Sequence, residues 1–306
     1  MPFFVIRGTF RLIDRLKTGT LRGFQPDGDS MQFEPNNPKL LDGLTKLQQP
    51  YRLTAINSVQ LRFEGMDALE LHFNPTKGGP STHQPRPLAD DSRDYLTARL
   101  GLDPVNYDSG RGLTVQPPAM HDGQSGYILS RSLDVHGRPV SFVFTGSPPA
   151  RDGSEVRLTP TLLKKSFNYA SILGGYSYPL FYDTLFRDLR DALGQAAQSA
   201  RKSRKGIWAR DKSQSGLPVT SEVSLQDTGV IFPKLFRRLV DYLAEGNTGM
   251  AKFKSWLAAK KEQVQDLDPT SGTFTNFTHL DNVVKVAGNR ISLVQQPETL
   301  LFVSEK

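Results

Sequence analysis

The chain has 306 residues, 37% hydrophobic and 23% charged. That is enough apolar surface for a real core and too little charge for disorder, in one large domain or two ordinary ones. It has no cysteine, which excludes disulfides, thiolate metal sites and cysteine nucleophiles. The net charge is +7, and residues 217–306 balance ten basic against ten acidic side chains, so the surplus lies in residues 1–216. A positive field there favours a polyanion, with nucleic acid the first case and an anionic membrane surface the second. No apolar run reaches the eighteen residues of a membrane helix, and the start "MPFFVIRGTFRLIDRL" lacks a signal-type segment. A cytoplasmic, non-membrane protein is expected; a secreted one whose leader had been removed would read the same.

In chain order, "FFVIRGTFRLI" alternates as a strand, and "DSMQFEP" follows the Asp-Gly turn of "PDGD". "YRLTAINSVQLRFEGMD" continues the alternation, and 74–87 is a loop with four prolines and two glycines. "ADDSRDYLTARLG" predicts a short helix, residues 103–125 are again Gly- and Pro-rich, and "GYILSRSLDVHGRPVSFVFTG" predicts a hairpin turning at "HGR". Then come helices. "TLLKKSFNYASILGG" runs to Gly174-Gly175, and the segment from Asp183 carries Leu185, Leu189, Leu193, Ala196 and Ala200 at helical spacing. The polar stretch 211–218 reads as a linker. Beyond it "FPKLFRRLVDYLAEG" and "MAKFKSWLAAKKEQV" predict helices, followed by strands "NVVKVAG" and "ISLVQQPETLLFV". The expected fold is α+β: a five-stranded OB-type β-barrel with about three helices in residues 1–213, and a smaller α+β C-terminal domain in residues 219–306.

One stretch is richer in charge than packing requires. "VQLRFEGMDALELHF" sets Arg62, Asp67 and Glu70 at the end of a strand, while Asp29 ends the "PDGD" turn and Arg138 sits at the hairpin tip. Acidic oxygens from two loops suit a hard cation such as Ca²⁺. Two arginines suit a phosphate, which a guanidinium grips through parallel hydrogen bonds. A carboxylate near a water can act as base. Together these form a kit for phosphodiester hydrolysis. Each piece also has a structural reading: Asp29 as a turn former, Asp67 and Glu70 as helix caps or partners of Arg62, Arg138 as a solvated tip. Zinc-protease, Walker, nucleophile-elbow and Rossmann motifs are absent.

Four motifs in order carry a resemblance: "PDGDS", "LRFEGMDALEL", "DVHGRP" and "ARKSRKGIWARD". Over roughly residues 5–213 the chain resembles the staphylococcal nuclease (thermonuclease-like) family. The resemblance implies an OB barrel with three helices and a Ca²⁺-dependent nuclease acting on DNA and RNA with little sequence preference, leaving 3′-phosphate ends. It implies Asp29, Asp67 and the Ala68 carbonyl as metal ligands, with Glu70 holding or activating the attacking water. Arg62 and Arg138 would contact the reacting phosphate and stabilise five-coordinate phosphorus. An all-oxygen site would also accept Mg²⁺ or Mn²⁺.

The chain departs from the family pattern at several places. Ala68 stands where Thr is frequent and Leu69 where Pro is usual, and Val135 and His136 stand where some members of the family have Lys and Tyr near a terminal phosphate. His136 and Tyr182 are candidate nucleic-acid contacts, although Tyr182, like Tyr176 and Tyr178, is equally explained by packing. Arg201 and Lys202 of "RKSRK" are candidate backbone contacts, or a basic helix end complementing the helix dipole. In the C-terminal third, the stripe Leu235, Leu239, Val240 and Leu243 reads as core, or as a face for self-association or a protein partner. The same third is a candidate regulator of the nuclease. A noncatalytic barrel that binds nucleic acid or protein is the rival reading.

Overall fold

The computed structural model describes residues 2–46, 48–267 and 277–304. The principal elements are β1 (Phe3–Arg11), β2 (Gln32–Pro35), β3 (Val59–Gln60), β4 (Arg62–Phe63), β5 (Met66–Ala68), α1 (Arg86–Arg99), β6 (Gln124–Leu133), β7 (Pro139–Thr145), α2 (Phe167–Gly174), β8 (Ser177–Pro179), α3 (Arg187–Lys202) and α4 (Pro233–Ala244). Contacts divide the chain into two compact units, 1–64 with 93–171, and 65–92 with 172–304. The polar stretch 211–218, expected to separate domains, lies inside the second unit. Leu217–Pro218 is a strand there, paired with Arg290–Leu293.

In the first unit six strands form a nearly closed, barrel-like sheet in the order β3-β2-β1-β6-β7-β4. Because β3 and β4 are consecutive pieces of one segment, the circuit nearly closes on itself. All its pairs are antiparallel except β7 with β4, which run parallel with Val140 opposite Arg62 and Ser141 opposite Phe63. The strand "FFVIRGTFR" buries Phe3 and Val5 on one parity and, after two consecutive buried residues, Ile6 and Phe10 on the other; Phe3 packs on Phe142 and Phe10 on Phe33. Residues 51–58 depart from the expected strand and instead form a turn closed by Thr54 and Ser58.

The parallel contact is short, and Asn168 at the start of α2 completes it. Its Nδ2 donates to the carbonyls of Glu64 (2.9 Å) and Ser141 (3.1 Å), and its Oδ1 accepts from Val143 N (2.9 Å). The helix predicted without interruption over 161–175 is in fact broken. A single turn, Pro160–Leu163, ends where Ser166 Oγ donates to Leu163 O and then accepts from Tyr169 N to start α2.

The second unit is built around α3 and α4. The predicted stripe of α3 buries Leu189, Leu193, Ala196 and Ala200, while Asp188 in its first turn and Arg201 and Lys202 in its last complement the helix dipole. Two sheets take their strands from both ends of this unit: Phe181–Tyr182 pairs with Leu300–Phe302, which continues to Gln263–Asp266, and Leu217–Pro218 joins Arg290–Leu293. The stripe of α4 is core within this unit, with Leu235, Leu239 and Val240 at most 1% exposed. Among the described residues no helix is long and apolar enough to cross a membrane.

Removing the Asn168 amide would strand buried main-chain groups at the barrel seam. Asn168→Ala is expected to lower stability by about 2–4 kcal/mol, since each unsatisfied buried group costs about 1–3 kcal/mol. Urea unfolding would read this as a shifted midpoint with an unchanged slope.

Candidate functional site

The predicted residues of the first unit gather where β4 meets its neighbours. The "PDGDS" turn is tight: Asp27 and Ser30 exchange main-chain hydrogen bonds, and Gly28 N donates to Asp27 Oδ1 (2.7 Å). The turn then hands Asp29 to β4, whose Phe63 N donates to the Asp29 carbonyl (3.1 Å). Arg62 faces Val140 across the parallel pair, and Arg138 lies in the hairpin turn, one residue before the adjoining strand begins at Pro139. Arg62 and Arg131 both act on the buried carboxyl of Glu64. Burial raises that group above its usual range, and the two guanidiniums pull it the other way.

The hairpin tip is held by a carboxylate that sequence reasoning passed over. Asp134 Oδ1 accepts from the main-chain N of His136 and of Arg138, both at 2.9 Å, and its Oδ2 takes Arg138 Nε (2.8 Å) and Nη2 (2.7 Å). Asp134 thus occupies two of the five donors of Arg138 and sets the direction of the rest. Gly137 is required at this turn, because its φ is +79° and a Cβ would meet the Pro50 carbonyl oxygen at 2.2 Å. His136 contributes a main-chain contact to the tip.

Asp67, Ala68 and Glu70 belong to the second unit. Gly65 opens their segment with φ +75°, and a Cβ there would meet Leu193 Cδ1 at 2.6 Å, so β5 lies tight against α3. Asp67 pairs with Tyr178 and Ala68 with Ser177 on β8. The side chain of Asp67 is 1% exposed. Its counter-charge is Arg237 of α4: Nη1 reaches Oδ1 (3.1 Å), Nη2 reaches Oδ2 (2.9 Å), and Nη1 also donates to Glu70 Oε1. Burial pulls the Arg237 guanidinium down, but Asp67 and Glu70 outweigh this and hold it well above its ordinary value.

Glu70 is fixed by its main chain as well. Gln84 Oε1 accepts from Glu70 N (3.2 Å), Gln84 N donates to Glu70 O (2.8 Å), and the buried Gln84 amide donates to Gly229 O (2.7 Å) and Ile231 O (2.8 Å) just before α4. Thr76 N donates to Asp241 on α4 at 2.8 Å. The segment carrying the acid pair and the helix carrying Arg237 are therefore bound at several points.

Of the remaining candidates, Arg201 and Tyr182 are engaged internally. Arg201 makes a two-pronged ion pair with Glu298, which is 3% exposed, and lies over the Trp208 ring. Trp208 packs edge-on against Tyr178. Tyr182 accepts from Lys234 Nζ (3.3 Å), and Lys234 also pairs with Glu262 (2.5 Å). Lys202 is exposed at the end of α3.

Ca²⁺ favours a shell of several oxygens. Asp67 and Glu70 have the right chemistry, but both are closed on Arg237. Among the described residues no group of three or more His, Asp or Glu side chains is placed to hold a metal ion. The arrangement of donors therefore does not fit a divalent ion. Arg237 had one signal in the sequence: Arg237 and Arg238 are adjacent within a helix whose other side chains are largely buried, and charged groups in such a helix need partners.

Comparison of the chain with protein-family models and with curated proteins finds no match in either.

Beside Arg237, the Lys234–Glu262–Arg238 cluster makes stability depend on acid. Burial raises the Glu262 carboxyl, but Lys234 and Arg238 overcome this and bring it from 4.5 down to about 2. A carboxylate lowered in the folded state contributes in full above its unfolded value and loses that contribution as pH falls towards the folded one. About 3 kcal/mol is therefore expected to disappear between pH 4.5 and 2. Denaturant melts of the wild type and Glu262→Gln across that range would check it: the variant should lose this segment of the pH dependence.

Proposed function

We propose that this protein is a sugar-nonspecific nuclease on an OB-type barrel, hydrolysing DNA and RNA to 3′-phosphate ends. The near-closed circuit with its single parallel pair, β7 with β4, supports the OB reading. The observation that carries the function is the end of β4: Arg62 opposite Val140, Arg138 in the hairpin turn immediately before the adjoining strand, and Asp29 bonded through its main chain to Phe63. Two guanidiniums, one on a strand and one at the turn leading into its neighbour, are suited to the non-bridging oxygens of a phosphodiester, and they stabilise the charge that builds on five-coordinate phosphorus.

In this reading Glu70 takes a proton from the attacking water. The new P–O bond forms as the bond to the 5′ oxygen breaks, and the departing oxygen takes a proton from solvent water, leaving phosphate on the 3′ side. Asp134 acts as a positioning residue by fixing Arg138. A Ca²⁺, Mg²⁺ or Mn²⁺ cofactor belongs to the reading through the family resemblance, and holding one would require Asp67 and Glu70 to part from Arg237.

A second reading, a noncatalytic barrel that binds nucleic acid or protein, is favoured by that same closure, since a carboxylate held by a guanidinium is a poor base. The net positive charge of residues 1–216 suits both readings.

Plasmid, single-stranded DNA and RNA incubated with the purified protein across Ca²⁺, Mg²⁺ and Mn²⁺ are expected to be degraded. Arg62→Ala, Arg138→Ala and Glu70→Gln should each cut the rate by about 10²–10³-fold, the scale of a lost preorganised donor. Equal rates in all variants would assign the cleavage to another site or a contaminant. Salt-sensitive, chelator-indifferent binding without cleavage is the result the second reading expects.

A further inference from the structure

We infer that the Asp67–Glu70 acid pair is an internal guanidinium site, and that Arg237 competes directly with any divalent cation for it. Arg237 presents a planar fork to Asp67 with contacts of 3.1 and 2.9 Å and donates to Glu70 with the same Nη1. With Arg237 seated, the three side chains sum to one negative charge. Without it they sum to two, both on largely buried carboxylates. A buried pair of carboxylates stripped of its counter-ion draws in a cation, whereas a second cation beside a seated guanidinium meets like-charge repulsion at short range. Arg237 and a divalent ion are therefore mutually exclusive occupants.

The contact belongs to one compact unit, and the elements that bear it are anchored independently of it. Lys234 and Arg238 are held by Glu262, Thr76 by Asp241, and Gln84 ties Glu70 to residues 229–231. These anchors hold α4 and the acid pair in place when Arg237 alone is changed, so the exchange is local. If the nuclease reading is right, Arg237 slows the wild-type enzyme without silencing it; the competition itself does not depend on that reading.

The test is titration of the chelator-stripped full chain with CaCl₂ by calorimetry, with TbCl₃ luminescence in parallel. Arg237→Ala is expected to bind Ca²⁺ at least tenfold more tightly than the wild type, and to show a Ca²⁺-dependent rise in Tm that the wild type lacks. Asp67→Asn added to Arg237→Ala should remove both gains. Equal affinity in the wild type and Arg237→Ala, or no binding by a folded Arg237→Ala, overturns the inference. Should Arg237→Ala fail to fold, Arg237→Gln decides: its uncharged amide keeps side-chain bulk and donors without the cation, so a gain in Ca²⁺ affinity over the wild type supports the competition and an absence of gain in the folded variant overturns it. Gained affinity without cleavage would remove the nuclease reading alone, and cleavage with unchanged affinity would remove this inference alone.

Discussion

A carboxylate that is 1% exposed cannot draw on water for its charge, and Asp67 draws instead on Arg237. Arginine suits this position because its planar fork meets both carboxylate oxygens at once and leaves a donor for Glu70. Breaking a buried pair by removing one partner typically costs about 3–5 kcal/mol, because the other charge is left uncompensated. The placement of α4 in its unit follows from this contact and from those beside it, Thr76 to Asp241 and Gln84 to residues 229–231.

The C-terminal third is accordingly no appendage. Its strands pair with Phe181–Tyr182 and Leu217–Pro218, and its helix α4 supplies the counter-charge of an acid pair some 170 positions earlier in the chain. An amphipathic helix must cover its apolar stripe, and α4 does so within this unit, which explains why Leu235, Leu239 and Val240 are core. The electrostatics of Asp67 and Glu70 are thus determined by a residue of the C-terminal third.

Charge is handled differently in the two units. The first presents guanidiniums oriented by carboxylates, as Asp134 orients Arg138. The second presents carboxylates occupied by a guanidinium. In both cases charge is matched within the chain, and the functional question reduces to which of these partners a phosphodiester or a cation can replace.

Where periodicity and turn chemistry are local, the sequence was sufficient. The hairpin around Gly137 follows from two alternating runs joined at a glycine turn, and the stripes of α3 and α4 follow from apolar residues at helical spacing. Local breaks were less legible. Ser166 interrupts a run that reads as one helix because its hydroxyl competes for main-chain partners, and 51–58 turns back despite its β-branched composition. Asn168, Gln84 and Arg237 left no periodic trace, since each is defined by partners tens of residues away or more. The sequence by itself determined the α+β elements and the types of residue available for phosphate and cation chemistry. Tertiary structure alone decided that Asp67 and Glu70 face Arg237, because only folding brings α4 against β5, and a buried charge takes whichever partner the fold puts within reach.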